Sequence, residues 1–250
     1  MKILLTNDDG VNAKGISVLR EIALQISDDV WTCAPDTEQS AASRAVSLHN
    51  PVHLKKLDER IYSVTGTPTD SVIVALEALM SDSRPDLILS GVNRGQNLGE
   101  DVTFSGTVAG ALQGMQMGVP SIALSLARGF QGAQSLPWET ALAHGPKTIK
   151  ALLDKGWDAN VVPNVNFPDT TPDAVKGLQY TRQGRRDLQM SGVDRRAHPR
   201  GGEYFWLTYG AQKSNPPEGT DLRAIYDGYI SVTPLHINLT HEGSLSKFNG

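Results

Sequence analysis

Two adjacent aspartates, Asp8 and Asp9, follow a short apolar run and are the residues of this sequence best suited to chemistry. Residues 2–6 predict a buried strand of a parallel sheet, so both carboxylates would lie at its carboxyl end. Like charges repel and burial penalises each charged form, so such a pair is costly unless something compensates it. A bound divalent cation would do so, because hard cations prefer oxygen ligands. The alternative is a turn in which one aspartate caps the following helix.

Further oxygen donors follow other predicted strands. Ser40 lies in a polar loop after the second predicted strand, and Asn93 follows a later one. With Asp8 and Asp9 they would form the kind of oxygen ligand set that suits Mg²⁺. The histidines are scattered and Cys33 is the only cysteine, which argues against a zinc site.

A predicted helix over residues 108–117 begins after Ser105, Gly106 and Thr107. Free amides at a helix start bind anions, and the glycine would let a phosphate approach the backbone closely. Asn97, in the preceding Gly- and Asn-rich loop, could donate to the same phosphate. A cation and a helix N-terminus that face one cavity suit a phosphoryl group. Simple helix capping by Ser105 or Thr107 is the alternative.

Strands and helices alternate in the first part of the chain and must bring these residues together. Strands are predicted over residues 2–6, 30–34, 52–57, 61–65, 86–90 and 120–125, and helices over 14–27, 67–79, 108–117 and 137–155. This alternation predicts an α/β fold with a Rossmann-like, doubly wound and mainly parallel sheet. Such sheets bind ligands outside the carboxyl ends of their strands, where all the candidate residues would meet.

The pattern changes near residue 161, and we expect a core over residues 1–160 and a C-terminal extension over residues 161–250. Two long strands are predicted over residues 175–182 and 203–209, on either side of a charged, Gly-rich stretch. They would form a C-terminal β-hairpin or arm that ends in the aromatic run Tyr204-Phe205-Trp206. The arm would either pack on another subunit, where aromatic residues are enriched, or fold back on its own domain.

Composition narrows the classes of partner. The formal net charge is −4, which argues against a nucleic-acid polymer as partner, because such proteins normally present a basic face. No apolar run is long enough to span a bilayer, and the acidic turn interrupts the N-terminus before a signal peptide could form. With a single cysteine, these features predict a cytoplasmic protein that does not bind membranes.

Five motifs in this order resemble the SurE (survival protein E) family of 5′/3′-nucleotidases. They are ILLTNDDGV at residues 3–11, APD at 34–36 with Ser40, GTPTD at 66–70, SGVN at 90–93 and SGTVA at 105–109. GYISVTPL at residues 228–235 is similar to the C-terminal signature of the family. The sequence departs from the family pattern at Ala41-Ala42, Arg44 and His198, which bears on loop flexibility and substrate preference.

The resemblance implies a metal-dependent phosphatase that acts on nucleoside 5′- and 3′-monophosphates, and some members also trim short polyphosphate. It implies one divalent cation per subunit, Mg²⁺ or Mn²⁺. The implied metal ligands are Asp8, Asp9, Ser40 and Asn93, and the implied phosphate ligands are Asn97 and Ser105 with the adjoining Gly106 and Thr107. Homodimers or homotetramers form in the family through the C-terminal extension, which supports the intersubunit interpretation of the arm.

The expected reaction is hydrolysis of a phosphate monoester, in which Asp8 or Asp9 either orients the water or acts as nucleophile. A haloacid-dehalogenase-type phosphatase would need Asp-x-Asp on the first strand, and this sequence has Asn7-Asp8-Asp9-Gly10. A receiver domain would need a phosphoacceptor aspartate on a later strand end, where Ser90-Gly91 stands. A regulator that binds nucleotides without catalysis would use the same cavity, and phosphate release separates it from an enzyme.

Overall fold

A mixed β-sheet forms the centre of the protein in the computed structural model, which describes residues 1–129, 136–186, 190–209 and 215–249. The strands are β1 (Lys2–Thr6), β2 (Asp29–Pro35), β3 (Leu54–Asp58), β4 (Ile61–Val64), β5 (Leu87–Arg94), β6 (Ser121–Leu126), β7 (Val162–Phe167), β8 (Leu178–Tyr180), β9 (Met190–Ala197), β10 (Glu203–Tyr209) and β11 (Ile230–Leu235). The helices are α1 (Lys14–Leu24), α2 (Pro68–Val74), α3 (Gly106–Gln116), α4 (Trp138–Lys155), α5 (Asp221–Tyr226) and α6 (Glu242–Asn249).

Within these residues, nine strands form the sheet in the order β3-β4-β2-β1-β5-β6-β7-β11-β8. The central strands from β4 to β7 are parallel, and β3 and β11 each pair antiparallel with one neighbour. Strands β9 and β10 form a separate antiparallel hairpin. The prediction of an α/β, doubly wound and mainly parallel sheet with a C-terminal hairpin is confirmed.

Both faces of the sheet are covered, which explains why the three middle residues of β1 are all apolar. Ile3 and Leu5 pack in the core cluster that includes residues of α1 and α4, whereas Leu4 packs in the cluster that includes residues of α2. All three side chains are fully buried. Successive residues of a strand point to opposite faces, so a central strand of a three-layer fold has no solvent side on which to place polar residues.

The chain leaves β1 toward β2 on one side, and β5 lies on the other side of β1. In open parallel sheets, such a reversal of strand order leaves a crevice at the carboxyl ends of the two strands. The turn after β1, which carries the acidic pair, and the end of β5, which carries Asn93, therefore open into one crevice.

The first of the two predicted C-terminal strands lies outside the hairpin. Residues 175–182 contribute only the three-residue strand β8, which pairs with β11 at the edge of the main sheet. The partner of β10 is β9, which lies in the charged, Gly-rich stretch between the two predicted strands. Strand β9 escaped prediction because its side chains are mostly exposed, so the sequence lacks the alternation of a half-buried strand. A contact between the two strands of the hairpin is the ion pair of Arg195 in β9 with Glu203 in β10.

Strands from both predicted segments share the main sheet, because β7, β8 and β11 lie beyond residue 160 and continue it from β6. The division of the chain at residue 160 stays a prediction.

None of the helices in the described residues combines the length and the hydropathy needed to cross a membrane.

Candidate active site

A cavity of about 740 Å³ opens at the carboxyl ends of the parallel strands. Six of the residues predicted from the sequence line it, and these are Asp8, Asp9, Ser40, Asn93, Asn97 and Ser105. The structure thus brings together side chains that are spread over almost a hundred positions of the chain.

The turn after β1 holds the acidic pair. Asn7 Nδ2 donates a hydrogen bond to the carbonyl oxygen of Gly10 at 3.0 Å, which closes the turn around Asp8 and Asp9. Gly10 has a φ of 101°, a conformation that favours glycine over residues with a side chain. The turn therefore fixes the directions in which both carboxylates leave the backbone.

Asp8 is only 6% exposed and lies against the start of α3. The hydroxyl of Thr107 donates a hydrogen bond to its Oδ1 atom. A Cβ atom placed on Gly106 would lie 2.7 Å from the Asp8 Cβ, so this glycine makes room for the aspartate. Burial raises the pKa of Asp8 from 3.8 to about 6, although the Thr107 hydrogen bond lowers it and the Asp9 charge raises it further.

Asp9 is half-buried beside it. The backbone N–H of Arg94 donates a hydrogen bond to its Oδ2 atom at 3.1 Å. Burial raises the pKa of Asp9, the Arg94 hydrogen bond lowers it, and the negative charge of Glu38 raises it. Both members of the pair thus resist ionisation within the protein alone, which is the behaviour expected of carboxylates that need a positive charge nearby.

Asn93 and Ser40 provide the two other side-chain oxygen atoms that could ligate a cation. Asn93 Nδ2 donates to the carbonyl oxygen of Gly95 at 2.9 Å, which leaves the amide oxygen as the atom able to ligate a cation. Ser40 Oγ donates to Glu38 Oε1 at 2.7 Å, so the lone pairs of the hydroxyl oxygen remain for a ligand. Two carboxylates, an amide oxygen and a hydroxyl oxygen fit a hard divalent cation.

Ser105 caps the N-terminus of α3, an eleven-residue helix. Its Oγ accepts a hydrogen bond from the backbone N–H of Val108 at 3.0 Å, so the hydroxyl hydrogen is free to point elsewhere. The free amides at this end and the helix dipole favour an anion at the cavity wall. Gly106 and Thr107, expected to contact phosphate, both pack on Asp8, and the Thr107 hydroxyl hydrogen is used there. The backbone N–H of Thr107 also donates to the Asp8 carboxylate, so an anion at this end of α3 would use the backbone N–H of Gly106.

Several residues that line the cavity escaped the sequence analysis, and these include Glu38, Phe104, Arg128, Arg186 and Leu207. Phe104 is 56% exposed and directly precedes Ser105. Arg186 is buried and forms an ion pair with Asp101. No spacing rule connects such residues to the acidic pair, because loops that fold over a cavity follow no periodicity.

Asp221, at the start of α5, was also missed. It is fully buried, and its Oδ2 atom accepts a hydrogen bond from the backbone N–H of Gly99 at 2.8 Å. Its Oδ1 atom accepts one from the backbone N–H of Gly184, also at 2.8 Å. Burial raises the pKa of Asp221, against the lowering effect of these hydrogen bonds. The residue therefore ties the loop that carries Asn97 to the C-terminal part of the chain.

Comparisons with known proteins identify the family of the chain. A family model described as "Survival protein SurE" matches residues 3–190. A "5′-nucleotidase SurE" of Hyphomonas neptunium is 57% identical over 97% of this chain and 95% of the relative, and one of Caulobacter vibrioides is 55% identical over 100% and 95%. The crystal structure of a SurE protein from Aquifex aeolicus superposes with a TM-score of 0.86 at 36% identity, covering 100% of this chain and 98% of the other. On the extent of these matches, the chain belongs to the SurE family.

Proposed function

We propose that the chain is a metal-dependent 5′-nucleotidase, which hydrolyses nucleoside monophosphates to a nucleoside and inorganic phosphate. One structural observation carries the proposal: the acidic pair, with Asp8 buried and Asp9 half-buried, and the N-terminus of α3 meet at the same cavity. The carboxylates would bind a cation and the helix N-terminus would bind an anion, and a phosphate monoester that binds together with a divalent cation needs both. Relatives named 5′-nucleotidase SurE support the substrate class.

Asp8, Asp9, Asn93 and Ser40 would hold the cation through oxygen atoms. When bound, a divalent cation supplies charge neutralisation at the phosphoryl oxygens and lowers the pKa of a coordinated water. The hydrogen bonds from Thr107 and from the Arg94 amide hold the two carboxylates in place, which supports their role as ligands that need little rearrangement when a cation binds. We favour Mg²⁺ or Mn²⁺, one per subunit.

Ser105 and the first amides of α3 would bind the transferring phosphoryl group, with Asn97 as a further donor. Asp9, the more accessible acid, would orient the attacking water and take its proton. The water oxygen would bond to phosphorus as the bond from phosphorus to the nucleoside oxygen breaks, and the proton taken by Asp9 would pass to the leaving nucleoside oxygen, which restores the carboxylate. Monoester hydrolysis is very slow without a catalyst, so fixed donors around the phosphoryl group must supply much of the rate.

Phosphate release from a panel of nucleoside 5′- and 3′-monophosphates tests this function. We expect turnover with Mg²⁺ or Mn²⁺ and none in the presence of a chelator. We also expect activity on 3′-monophosphates and slower release from short polyphosphate. Nucleotide binding without phosphate release under every metal condition would contradict the enzyme and support a regulator.

We further propose that a second copy of this chain covers the hairpin of β9 and β10. Its exposed apolar side chains are Val193, Tyr204, Phe205, Trp206 and Leu207, each at least 39% exposed. Aromatic residues are enriched in the cores of interfaces, which supports a dimer or a tetramer. The mass in solution tests the proposal: the wild type should be oligomeric and Trp206→Glu monomeric, with Leu57→Glu on β3 as control. A monomeric wild type would refute it.

On its composition and its single cysteine, we expect the enzyme in the cytoplasm, with no membrane and no nucleic-acid polymer among its partners. Cell fractionation checks the first expectation, and activity in the membrane fraction would contradict it.

A further inference from the structure

Two asparagines occupy the middle of β7, a strand whose six residues are all buried. Asn164 and Asn166 are fully buried and lie two positions apart, so their side chains leave the same face of the strand. A buried amide is unfavourable compared with an aliphatic side chain unless its hydrogen bonds are satisfied. The contacts that these two amides make must therefore explain their presence.

Both amides reach Asn97, in the loop after β5. Asn166 Oδ1 accepts a hydrogen bond from the Asn97 backbone N–H at 2.9 Å, and Asn166 Nδ2 donates to the Asn97 carbonyl oxygen at 3.1 Å. Asn164 Nδ2 donates to the same carbonyl oxygen at 2.8 Å. The Asn166 side chain thus pairs with the peptide groups of Asn97 as a neighbouring strand would.

Ser125 holds the side chain of Asn97. It lies on β6 and is the parallel neighbour of Asn166 in β7. Its Oγ accepts a hydrogen bond from Asn97 Nδ2 at 2.8 Å. A carboxamide group is planar, so once one N–H points at Ser125 the direction of the second N–H is also set.

Stability alone does not account for this arrangement. Within the parts of the chain that the structure describes, Asn164 Oδ1 is fully buried and has no hydrogen-bond partner. A residue selected only to stabilise β7 would not leave a buried acceptor unpaired. The benefit must lie at Asn97, which lines the cavity although it is only 7% exposed.

We propose that Asn166, with Asn164 and Ser125, is a positioning residue that aims the second N–H of Asn97 Nδ2 at the transferring phosphoryl group. This inference rests on the proposed function and assigns parts of the same site to β6 and β7. The three residues touch no substrate and act through Asn97. A donor that is already aimed need not reorganise as charge redistributes in the transition state, which is the main advantage of fixed dipoles.

A double-mutant cycle between Asn166→Leu and Asn97→Ala tests the proposal, with hydrolysis of a nucleoside 5′-monophosphate at saturating Mg²⁺ as readout. We expect Asn166→Leu alone to lower kcat/KM by about 10- to 100-fold, as residues that support a functional ligand do. In the Asn97→Ala background the same change should cost less than about threefold, because the group that it positions is gone. Ser125→Ala should behave in the same way, and it keeps the test decisive if Asn166→Leu does not fold.

Binding of inorganic phosphate to the Mg²⁺-loaded protein gives a second readout, and Kd should weaken in the same non-additive pattern. Thr181→Val is the matched control, since Thr181 forms buried hydrogen bonds of 2.8 Å to Ser231 and Thr233 of the neighbouring strand β11. Its effect should be equal with and without the Asn97 side chain.

Equal losses for Asn166→Leu or Ser125→Ala in both backgrounds would overturn the inference, because a purely structural role adds to the Asn97 effect. Full activity in Asn97→Ala would overturn it too, since nothing would then need positioning. A wild-type protein that releases no phosphate would instead refute the proposed function, so the two failures are distinguishable.

Discussion

Replacing Asp8 by asparagine should stabilise the metal-free protein while it abolishes activity. Burial raises the pKa of Asp8 in the folded chain to about 6, compared with 3.8 when it is exposed. Below pH 3.8 the carboxyl is protonated in both states and carries no penalty. Between pH 3.8 and about 6 the unfolded chain releases this proton while the folded protein still holds it, so stability is lost over this window and stays at the lower value above it.

The magnitude follows from the two pKa values. Their difference corresponds to about 3 kcal/mol at pH values well above 6. At pH 5 the unfolded carboxyl is ionised and the folded one mostly is not, and the penalty is about half as large. Asparagine carries no charge, and its Oδ1 atom can still accept the hydrogen bond from Thr107. Asp8→Asn should therefore stabilise the metal-free protein by most of this penalty, that is by about 3 kcal/mol at most, at pH 7.5. At pH 5 the gain in stability should be about half as large.

Urea unfolding in the presence of a chelator measures this effect at the two pH values. Asp82→Asn, a change of an exposed aspartate, is the control and should alter stability little at either pH. With saturating Mg²⁺ the order should reverse, because the wild type gains binding energy and the variant does not. If Asp8→Asn destabilises the chelated protein at pH 7.5, or if its effect does not depend on pH, the view of Asp8 as an uncompensated charge is wrong.

Three further predictions follow from individual contacts. Thr107→Val should raise the Mg²⁺ Kd about tenfold, because Asp8 loses the hydroxyl group that donates a hydrogen bond to it, whereas Thr107→Ser keeps the hydroxyl and should not. Calorimetric titration with Mg²⁺ measures this, and an unchanged affinity of Thr107→Val would contradict it. The exposed ring of Phe104 lines the cavity and is placed to stack on the base of a nucleotide. Phe104→Ala should therefore raise KM about tenfold for a nucleoside monophosphate but not for ribose 5-phosphate, which has no base. Phe248→Ala, a change of another exposed ring, is the control and should leave both KM values unchanged. Burial raises the pKa of the Cys33 thiol to about 12 and leaves it 1% exposed, so a thiol reagent should label the native protein far more slowly than the unfolded chain, and equal rates would refute this.

The sequence was informative about the candidate site where chemistry coincides with a strand end. Asp8 and Asn93 each follow a predicted strand, Ser105 precedes a predicted helix, and parallel strands bring their carboxyl ends to one edge. Period and propensity therefore sufficed to predict that these residues share a cavity. The same reasoning predicted the order of helices and strands as far as α4.

Long-range contacts explain what the sequence could not predict. Asn166 meets Asn97 across 69 positions and Asp221 meets Gly99 across 122, and no local pattern records such pairs. Strand β7 was not predicted, although its buried asparagines carry part of the site. Helix α6 was not predicted either, and it has no buried residues to mark a face.

The attachment of Gly99 to Asp221 has a consequence for the order in which activity arises during synthesis. The proposed cation ligands all lie within the first 93 residues, and the strands that carry them can pair early. The loop with Asn97 acquires its contacts to Asn166 and Asp221 only after most of the chain has left the ribosome, seconds later at ordinary rates of translation. A growing chain would thus pass through a stage at which it can bind a divalent cation but cannot yet turn over a nucleotide, and catalysis would begin only when the C-terminal strands have joined the sheet.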